Sequence, residues 1–344
     1  MGSSFAAKVI AWQKQHGRHD LPWQGARDPY AIWLAEIMLQ QTQVATVIPY
    51  YLRFLGRFPD AGALAAAPLD EVLRLWSGLG YYSRARNLHR TAQVIAEAHG
   101  GRFPRRFEDV AALPGVGRST AAAICVFAFG KRHAILDGNV KRVLARYRGV
   151  KGYGGDRKVA DRLWQEAQRL LPRRNVEAYT QGLMDLGATI CTRSQPRCTV
   201  CPVHASCVAF QRGWVGKLPA PRPRKRLPHK RTVMLTLMRA GEVLLEKRPP
   251  SGIWGGMWCL PEAVRKTDIE TYCLKRFGAH IIEVEELPKI AHSFTHFKLD
   301  IRPLRLRVSA LVPEAAEPGM MWLSLEEARG AAIPAPVRRI LAQL

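Results

Sequence analysis

Hydrophobic and polar positions divide the chain into two rhythms. Up to about residue 216 the pattern is helical, with Gly and Pro interrupting it at short intervals. Asp28-Pro29 reads as an N-cap followed by proline at the first helical position, opening a helix from residue 30 to about residue 41. Further helices are predicted to start at Gln43, Asp70, Arg84, Arg118, Gly138, Arg157 and Val176. After residue 231 the pattern suggests strands at 232–238, 242–246, 281–284 and 299–308, with helices at 266–277, 325–329 and 337–344. No internal repeat is visible. The pattern predicts an all-α region followed by a smaller α+β domain.

Length supports that division: 344 residues, 47% of them hydrophobic, suffice for two ordinary cores, which excludes a disulfide-stapled miniature and a disordered tail. The longest near-continuous apolar run, 120–130, is too short to span a membrane. Lys8, Lys14 and His16 interrupt any signal-like apolar core near the start, so a cytoplasmic location is expected, nucleoid-associated in a bacterium. Charge adds a partner class. With 52 Lys and Arg against 28 Asp and Glu, the net charge is +24, a surplus that points to a polyanion, most commonly nucleic acid. Basic ribosomal and membrane-surface proteins share such a number, so charge by itself names no chemistry. Residues 186–241 contain no Asp or Glu and eleven Lys or Arg. Within them residues 217–230 are dense in proline, which suits neither a helix interior nor a central strand, and read as an extended basic linker.

Four of the seven cysteines cluster as Cys191-x6-Cys198-x2-Cys201-x5-Cys207. Without a secretory signal, metal ligation is favoured over disulfides, and four thiolates suit either tetrahedral zinc or an iron–sulfur cluster. Cys125, Cys259 and Cys273 stand alone in apolar surroundings and read as core.

Three short stretches carry candidate chemistry. Residues 113–121, Leu-Pro-Gly-Val-Gly-Arg-Ser-Thr-Ala, place Gly115 and Gly117 just before an Ala-rich helix, an arrangement whose free amides and dipole can hold a phosphate. Asp137-Gly-Asn-Val140 opens another helix, where the dipole and free amides are expected to favour an ionised Asp137. Glu36, with Ile32, Trp33 and Leu39 as helical neighbours, is expected to be pushed toward its protonated form. One proton donor and one carboxylate make the pair that glycosidic cleavage needs. Taken singly, Asp137 could be an N-cap with no other duty and Glu36 a member of an ion pair.

Together with Leu39-Gln-Gln-Thr-Gln-Val44 and Gly78-Leu-Gly-Tyr-Tyr82, these motifs make the chain resemble, from about residue 5 to residue 344, the MutY family of adenine DNA glycosylases, in the endonuclease III branch of the helix-hairpin-helix glycosylases. The resemblance implies an all-α catalytic region over residues 1–216. Within it, a six-helix module covers about 23–130, and an iron–sulfur module joins about 1–22 to 131–216. The linker at 217–230 leads to a Nudix-like 8-oxoguanine recognition domain at 231–344. It implies Glu36 as the general acid that protonates adenine, Asp137 as the carboxylate that stabilises the oxocarbenium sugar through a transient adduct, and Asn139 as the side chain ordering acid and water. Gln41 and Tyr81 match residues that probe and wedge the duplex, while Gly115, Gly117 and Ser119 fall in the DNA-gripping hairpin. The cysteine quartet, Cys191, Cys198, Cys201 and Cys207, matches a [4Fe–4S] site, with Arg193, Arg197 and Lys217 bracing a DNA-facing surface. The implied partner is double-stranded DNA with adenine opposite 8-oxoguanine or guanine, bound by a monomer with no membrane role.

Two departures sharpen this expectation. Ser119 stands where bifunctional relatives carry a Schiff-base lysine, and a hydroxyl cannot form that imine, so base excision without an efficient strand nick is expected. In the second domain 248–258 is the stretch most like the family. The acidic run that holds magnesium in Nudix hydrolases is missing after Pro261, which argues against pyrophosphatase activity. Phe294-Thr295-His296 occupies the place of a Phe-Ser-His loop that senses 8-oxoguanine; Thr295 retains the hydroxyl and adds a methyl. The competing readings are an endonuclease III-type pyrimidine glycosylase/lyase, opposed by Ser119 and the extra domain, and a non-catalytic lesion-binding protein, opposed by the presence of both Glu36 and Asp137.

Overall fold

The computed structural model describes residues 4–25, 27–223, 226–264, 267–311 and 319–344. Its backbone contacts separate into two compact units, residues 1–66 with 87–224, and residues 67–86 with 225–344.

The first unit is helical. Helix α1 (Phe5–His16) is capped by Ser4 Oγ, which accepts the Ala7 N–H. It is absent from the predicted set because Lys8, Lys14 and His16 break its apolar run, yet Phe5, Val9 and Trp12 form a buried stripe at helical spacing. Helix α2 (Pro29–Met38) starts as expected, with the Asp28 carboxylate accepting the Tyr30 and Ala31 N–H groups. It stops three residues short of the expected end because the chain turns, and Gln41 adopts a left-handed φ of 60°. Next come α3 (Val44–Arg57) and α4 (Ala61–Ala66), then α5 (Leu69–Trp76), which belongs to the second unit. Helix α6 (Ser83–Ala98) begins in that unit and continues in the first, followed by α7 (Phe107–Ala112), α8 (Arg118–Phe129), α9 (Gly138–Arg148), α10 (Arg157–Leu170) and α11 (Val176–Asp185). A π-turn (Leu186–Ile190), two 3-10 turns and α12 (Val208–Gln211) complete the first unit. One core of this unit draws on α1, α8, α9, α10 and α11, with Val9, Val126, Val140, Leu144 and Leu163 fully excluded from solvent.

The second unit is built on one mixed sheet. Strands β1 (His229–Arg239), β2 (Glu242–Lys247), β3 (Trp258–Cys259), β4 (Glu262–Ala263), β5 (Ala279–Glu286), β6 (Ile290–Ser293), β7 (Lys298–Leu311) and β8 (Met320–Ser324) surround helix α13 (Ile269–Phe277). Helices α14 (Leu325–Gly330) and α15 (Ala335–Leu341) follow. The sheet order is β3-β2-β1-β7-β5, with β1 and β7 parallel and Leu235 and Leu237 in register with Leu304 and Leu306. Residues 233–237 are buried without alternation, as expected for a strand covered on both faces. One face packs Cys273 and Phe277 of α13 against Leu235, Leu304 and Leu306. Strands β3, β4, β6 and β8 are too short or too weakly patterned to have been predicted. His229 and Lys230, the end of the predicted linker, already belong to β1. Cys125, Cys259 and Cys273 are buried, as expected. Among the described residues no helix is long and apolar enough to cross a membrane.

Candidate active site

A cavity of about 1280 Å³ opens within the first unit and brings together five of the predicted residues: Glu36 from α2, Gln41 from the turn after it, Ser119 from α8, and Asp137 and Asn139 at the start of α9. Helix α2 is buried almost all round, with Ile32 4% and Trp33 0% exposed, so Glu36 reaches the cavity from an apolar support. Burial first, and the neighbouring Asp137 second, push its carboxyl up to about 8. At neutral pH Glu36 therefore holds a proton.

Asp137 is the N-cap of α9, and its Oδ1 accepts the Val140 N–H at 2.7 Å. The expected downward pull on its pKa is outweighed in this setting. Desolvation raises its pKa from the ordinary aspartate value, outweighing hydrogen bonds from Val140 and Asn139 and the charges of Arg142 and Lys141. The two carboxyls still differ in kind. Only raising influences act on Glu36, whereas Asp137 has four that favour its charged form.

Asn139 is fixed from behind. Its Oδ1 accepts from Arg142 Nη2 at 2.8 Å, and the same guanidinium donates to the carbonyls of Gly187 (2.7 Å) and Cys191 (2.8 Å). Gly187 is required by this approach, because a Cβ there would lie 2.6 Å from Asn139 Cβ. Arg142 was missed by sequence reasoning, although its position three residues after Asn139 puts it on the same helical face. Also missed was the far wall of the cavity, formed by Gln13, Arg18, His19 and Gln181. Arg18 donates to both oxygens of the fully buried Asp185 through N (3.0 Å) and Nε (2.7 Å), and Gln181 Nε2 adds a bond of 2.9 Å. Because 167 residues separate Arg18 from Asp185, no local spacing could have revealed the pair.

Between α7 and α8 the glycine hairpin forms as expected. Gly115 has φ 75° and packs so close to Asn87 that a Cβ would sit 2.8 Å away. A Cβ at Gly117, the N-cap of α8, would meet nothing within 4 Å, so the protein's own packing does not demand glycine there. Ser119 Oγ accepts the Leu136 N–H at 3.0 Å, tying α8 to the residue before Asp137.

The cysteine quartet lines a second pocket with Val143, Tyr147, Leu186 and Ile190. All four thiols are free, and Arg146 Nη1 lies 3.3 Å from Cys191 Sγ. Burial, then the nearness of Cys191, disfavours the Cys198 thiolate. Among the described residues no three His, Cys, Asp or Glu side chains converge on one ion.

Tyr81, Phe294, Thr295 and His296 belong to the second unit. Tyr81 is 43% exposed, with φ 49°, on a turn secured by Trp76 Nε1 donating to the Gly80 carbonyl (3.1 Å) and by the Arg84 guanidinium 5.5 Å over its ring. Gln41 and Tyr81, both assigned to the duplex by resemblance, are thus two of five described non-glycine residues in the left-handed region, where strain is tolerated when a site requires it. Between β6 and β7 the Phe294 N–H donates to the Phe297 carbonyl at 2.9 Å, closing a loop that leaves Thr295 and His296 exposed.

Comparison with known proteins places these motifs in context. Residues 34–169 match the HhH-GPD superfamily of base excision DNA repair proteins, and residues 232–343 match the NUDIX domain family. The adenine DNA glycosylase of Buchnera aphidicola (subsp. Acyrthosiphon pisum) is 38% identical, covering 98% of this chain and 96% of that one. Among solved structures, a thermostable thymine-DNA glycosylase superposes with TM-score 0.55 at 31% identity, covering 60% of this chain and 95% of its own. A trapped endonuclease III–DNA covalent intermediate shares the fold at TM-score 0.53 and 22% identity, covering 60% and 94%.

Proposed function

Because the chain belongs to the adenine DNA glycosylase family, with an HhH-GPD base excision repair region and a NUDIX domain, we propose that it excises adenine opposite 8-oxoguanine and, more weakly, opposite guanine in duplex DNA. The observation that carries this reading is the shared cavity of Glu36 and Asp137, where Glu36 has only influences that keep its proton and Asp137, though desolvated, also has amides and cations that favour its charge. A stacked adenine hides its glycosidic bond, so the nucleotide must be flipped out at a cost of a few kcal/mol. Glu36 then donates its proton to a ring nitrogen, and the C1′–N bond breaks with its electron pair leaving on the now neutral base. Asp137 faces the cationic sugar, which it stabilises by charge and by a transient ester. Asn139, held by Arg142, orients the water that completes hydrolysis, and the water's proton passes to a carboxylate.

The Gly115–Gly117 hairpin, with open space at Gly117, would receive a backbone phosphate on the α8 N-terminus. Gln41 and Tyr81 would fill the gap that the flipped base leaves. Ser119 has no amine for a Schiff base, which favours excision without strand cleavage. The four cysteines, which line one pocket, would hold a [4Fe–4S] cluster. When bound, that cluster would supply a rigid support for residues 191–207. Phe294, Thr295 and His296 would read 8-oxoguanine on the opposite strand.

The test is single-turnover excision on matched duplexes carrying adenine opposite 8-oxoguanine, guanine or thymine. The expected order is 8-oxoguanine, guanine, thymine, with Glu36→Gln binding the lesion duplex but excising at least about a hundredfold more slowly. Near-normal excision by Glu36→Gln would overturn the acid assignment, and equal rates on all three duplexes would overturn the substrate.

A further inference from the structure

The stretch Gly252–Trp258 has no role in the reaction as described so far, yet it is among the most tightly determined turns of the second unit. Trp254 is 7% exposed and held at φ 54°, a conformation that bulky residues avoid. Two glycines follow it directly. A Cβ on Gly255 would lie 2.7 Å from the Pro250 carbonyl, and Gly256, at φ 74°, lies where an added Cβ would meet Leu73 of α5 at 3.6 Å. The Met257 N–H closes the turn onto the Trp254 carbonyl at 3.0 Å.

What this constraint achieves is visible on both sides of Trp254. On one side its ring lies 5.5 Å from Phe294 and 5.9 Å from His292, and His292 meets Phe294 edge-on at 4.7 Å. Phe294 also stacks on Phe297 at 4.4 Å, so three aromatic partners fix it while Thr295 and His296 stay exposed. On the other side the Gly255 carbonyl accepts from Arg86 Nη1 at 2.8 Å. Arg86 lies in the first turn and a half of α6, and its N–H donates to the Tyr82 carbonyl at 3.1 Å, directly beside Tyr81. The segment carrying Tyr81 is further secured within the same unit. Lys247 Nζ meets Asp70 Oδ2 at 2.6 Å, Ser77 Oγ donates to the Ile333 carbonyl at 3.1 Å, and Arg338 Nη2 reaches Ser77 Oγ at 3.0 Å. The path Phe294–Trp254–Gly255–Arg86–Tyr82 is thus continuous.

We propose that Trp254 and Arg86 are positioning residues that seat the Phe294 loop and couple it to the Tyr81 turn, so that the identity of the base opposite adenine is transmitted to the side chain that wedges the duplex. The inference rests on the proposed role of residues 294–296 in reading 8-oxoguanine. A correct opposing base fixes Phe294, the rigid turn prevents that contact from being absorbed locally, and the Arg86 bond carries it to Tyr81. Neither residue touches the reacting atoms.

The experiment measures, in the full-length protein, the ratio of single-turnover excision efficiencies for adenine opposite 8-oxoguanine over adenine opposite guanine. Trp254→Ala and Arg86→Gln are each expected to lower this ratio about fivefold, the size of one aromatic or charge-assisted contact, with excision opposite guanine within about twofold of wild type. Trp254→Phe, which keeps a ring, should restore most of the ratio. Arg86→Gln combined with Phe294→Ala should cost no more than Phe294→Ala alone, because both lie on one path. Arg86→Gln leaves the aromatic packing intact, so its ratio decides the matter if Trp254→Ala does not fold. Should Phe294→Ala collapse the ratio while Arg86→Gln and Trp254→Ala leave it at the wild-type value, or should the double variant lose the product of the two single effects, the coupling is refuted and the recognition role of the loop stands. An unchanged ratio in Phe294→Ala overturns the recognition role itself.

Discussion

The cavity of the first unit and the Phe294 loop of the second solve opposite problems with the same resource, burial. In the cavity the acting groups are recessed, and the loss of water displaces their proton affinities, Glu36 to about 8. In the loop the anchoring ring is packed among Trp254, His292 and Phe297, while Thr295 and His296 remain in solvent. Bond cleavage needs groups whose ionisation differs from that in water, whereas reading a partner needs groups that reach it unencumbered on a rigid base. Substitutions in the two places should therefore fail in different ways.

The largest effect belongs to the cavity. Asp137→Asn removes the charge facing the sugar and should slow single-turnover excision by about a thousandfold, equally for adenine opposite 8-oxoguanine and opposite guanine. A loss confined to one duplex would blur the division. The loop should give a smaller and selective effect. His296→Ala is expected to lower the preference for 8-oxoguanine about threefold, the worth of one hydrogen bond, with excision opposite guanine unchanged in the same assay. A change in stability is also expected. Glu36 binds its proton more tightly folded than unfolded, since about 8 exceeds the ordinary 4.5. Stability is thus lost as pH rises through that interval, and above about 8 the folded state holds a desolvated anion. Glu36→Gln removes this cost, so its melting temperature should exceed the wild type's by more at pH 9 than at pH 5; equal differences would mean that Glu36 is well solvated.

The two units also differ in how much of them was legible beforehand. Glu36 stands out because a carboxylate in an apolar helix is conspicuous, Asp137 because an Asp-Gly-Asn triplet opens a helix, and the cysteines because their spacing is local. Each signal fits within about twenty residues. What escaped depends on contacts across the chain. Arg18 and Asp185 meet over 167 positions, and the Arg142 bridge to the Cys191 carbonyl spans 49. The direction of the Asp137 shift escaped for a related reason: the dipole and amides are visible in sequence, but the desolvation that outweighs them is set by the cavity walls. In the second unit the long strands β1 and β7 were evident from their composition. Strands of two residues, such as β3 and β4, exist only because β2 and β1 lie alongside to pair with them.

The placement of residues 67–86 in the second unit has a consequence for how the chain acquires its shape. The hydrogen bond from Ser77 to the Ile333 carbonyl closes a loop of 256 residues, and that from Arg338 to Ser77 one of 261. During synthesis α5 emerges long before the sheet it packs with, and it stays without its partners until nearly the whole polypeptide has left the ribosome. An early translational stop would leave residues 67–86 without those bonds, so a product truncated after residue 224 is expected to keep the helical core of the first unit and to lose the anchoring of the Tyr81 turn.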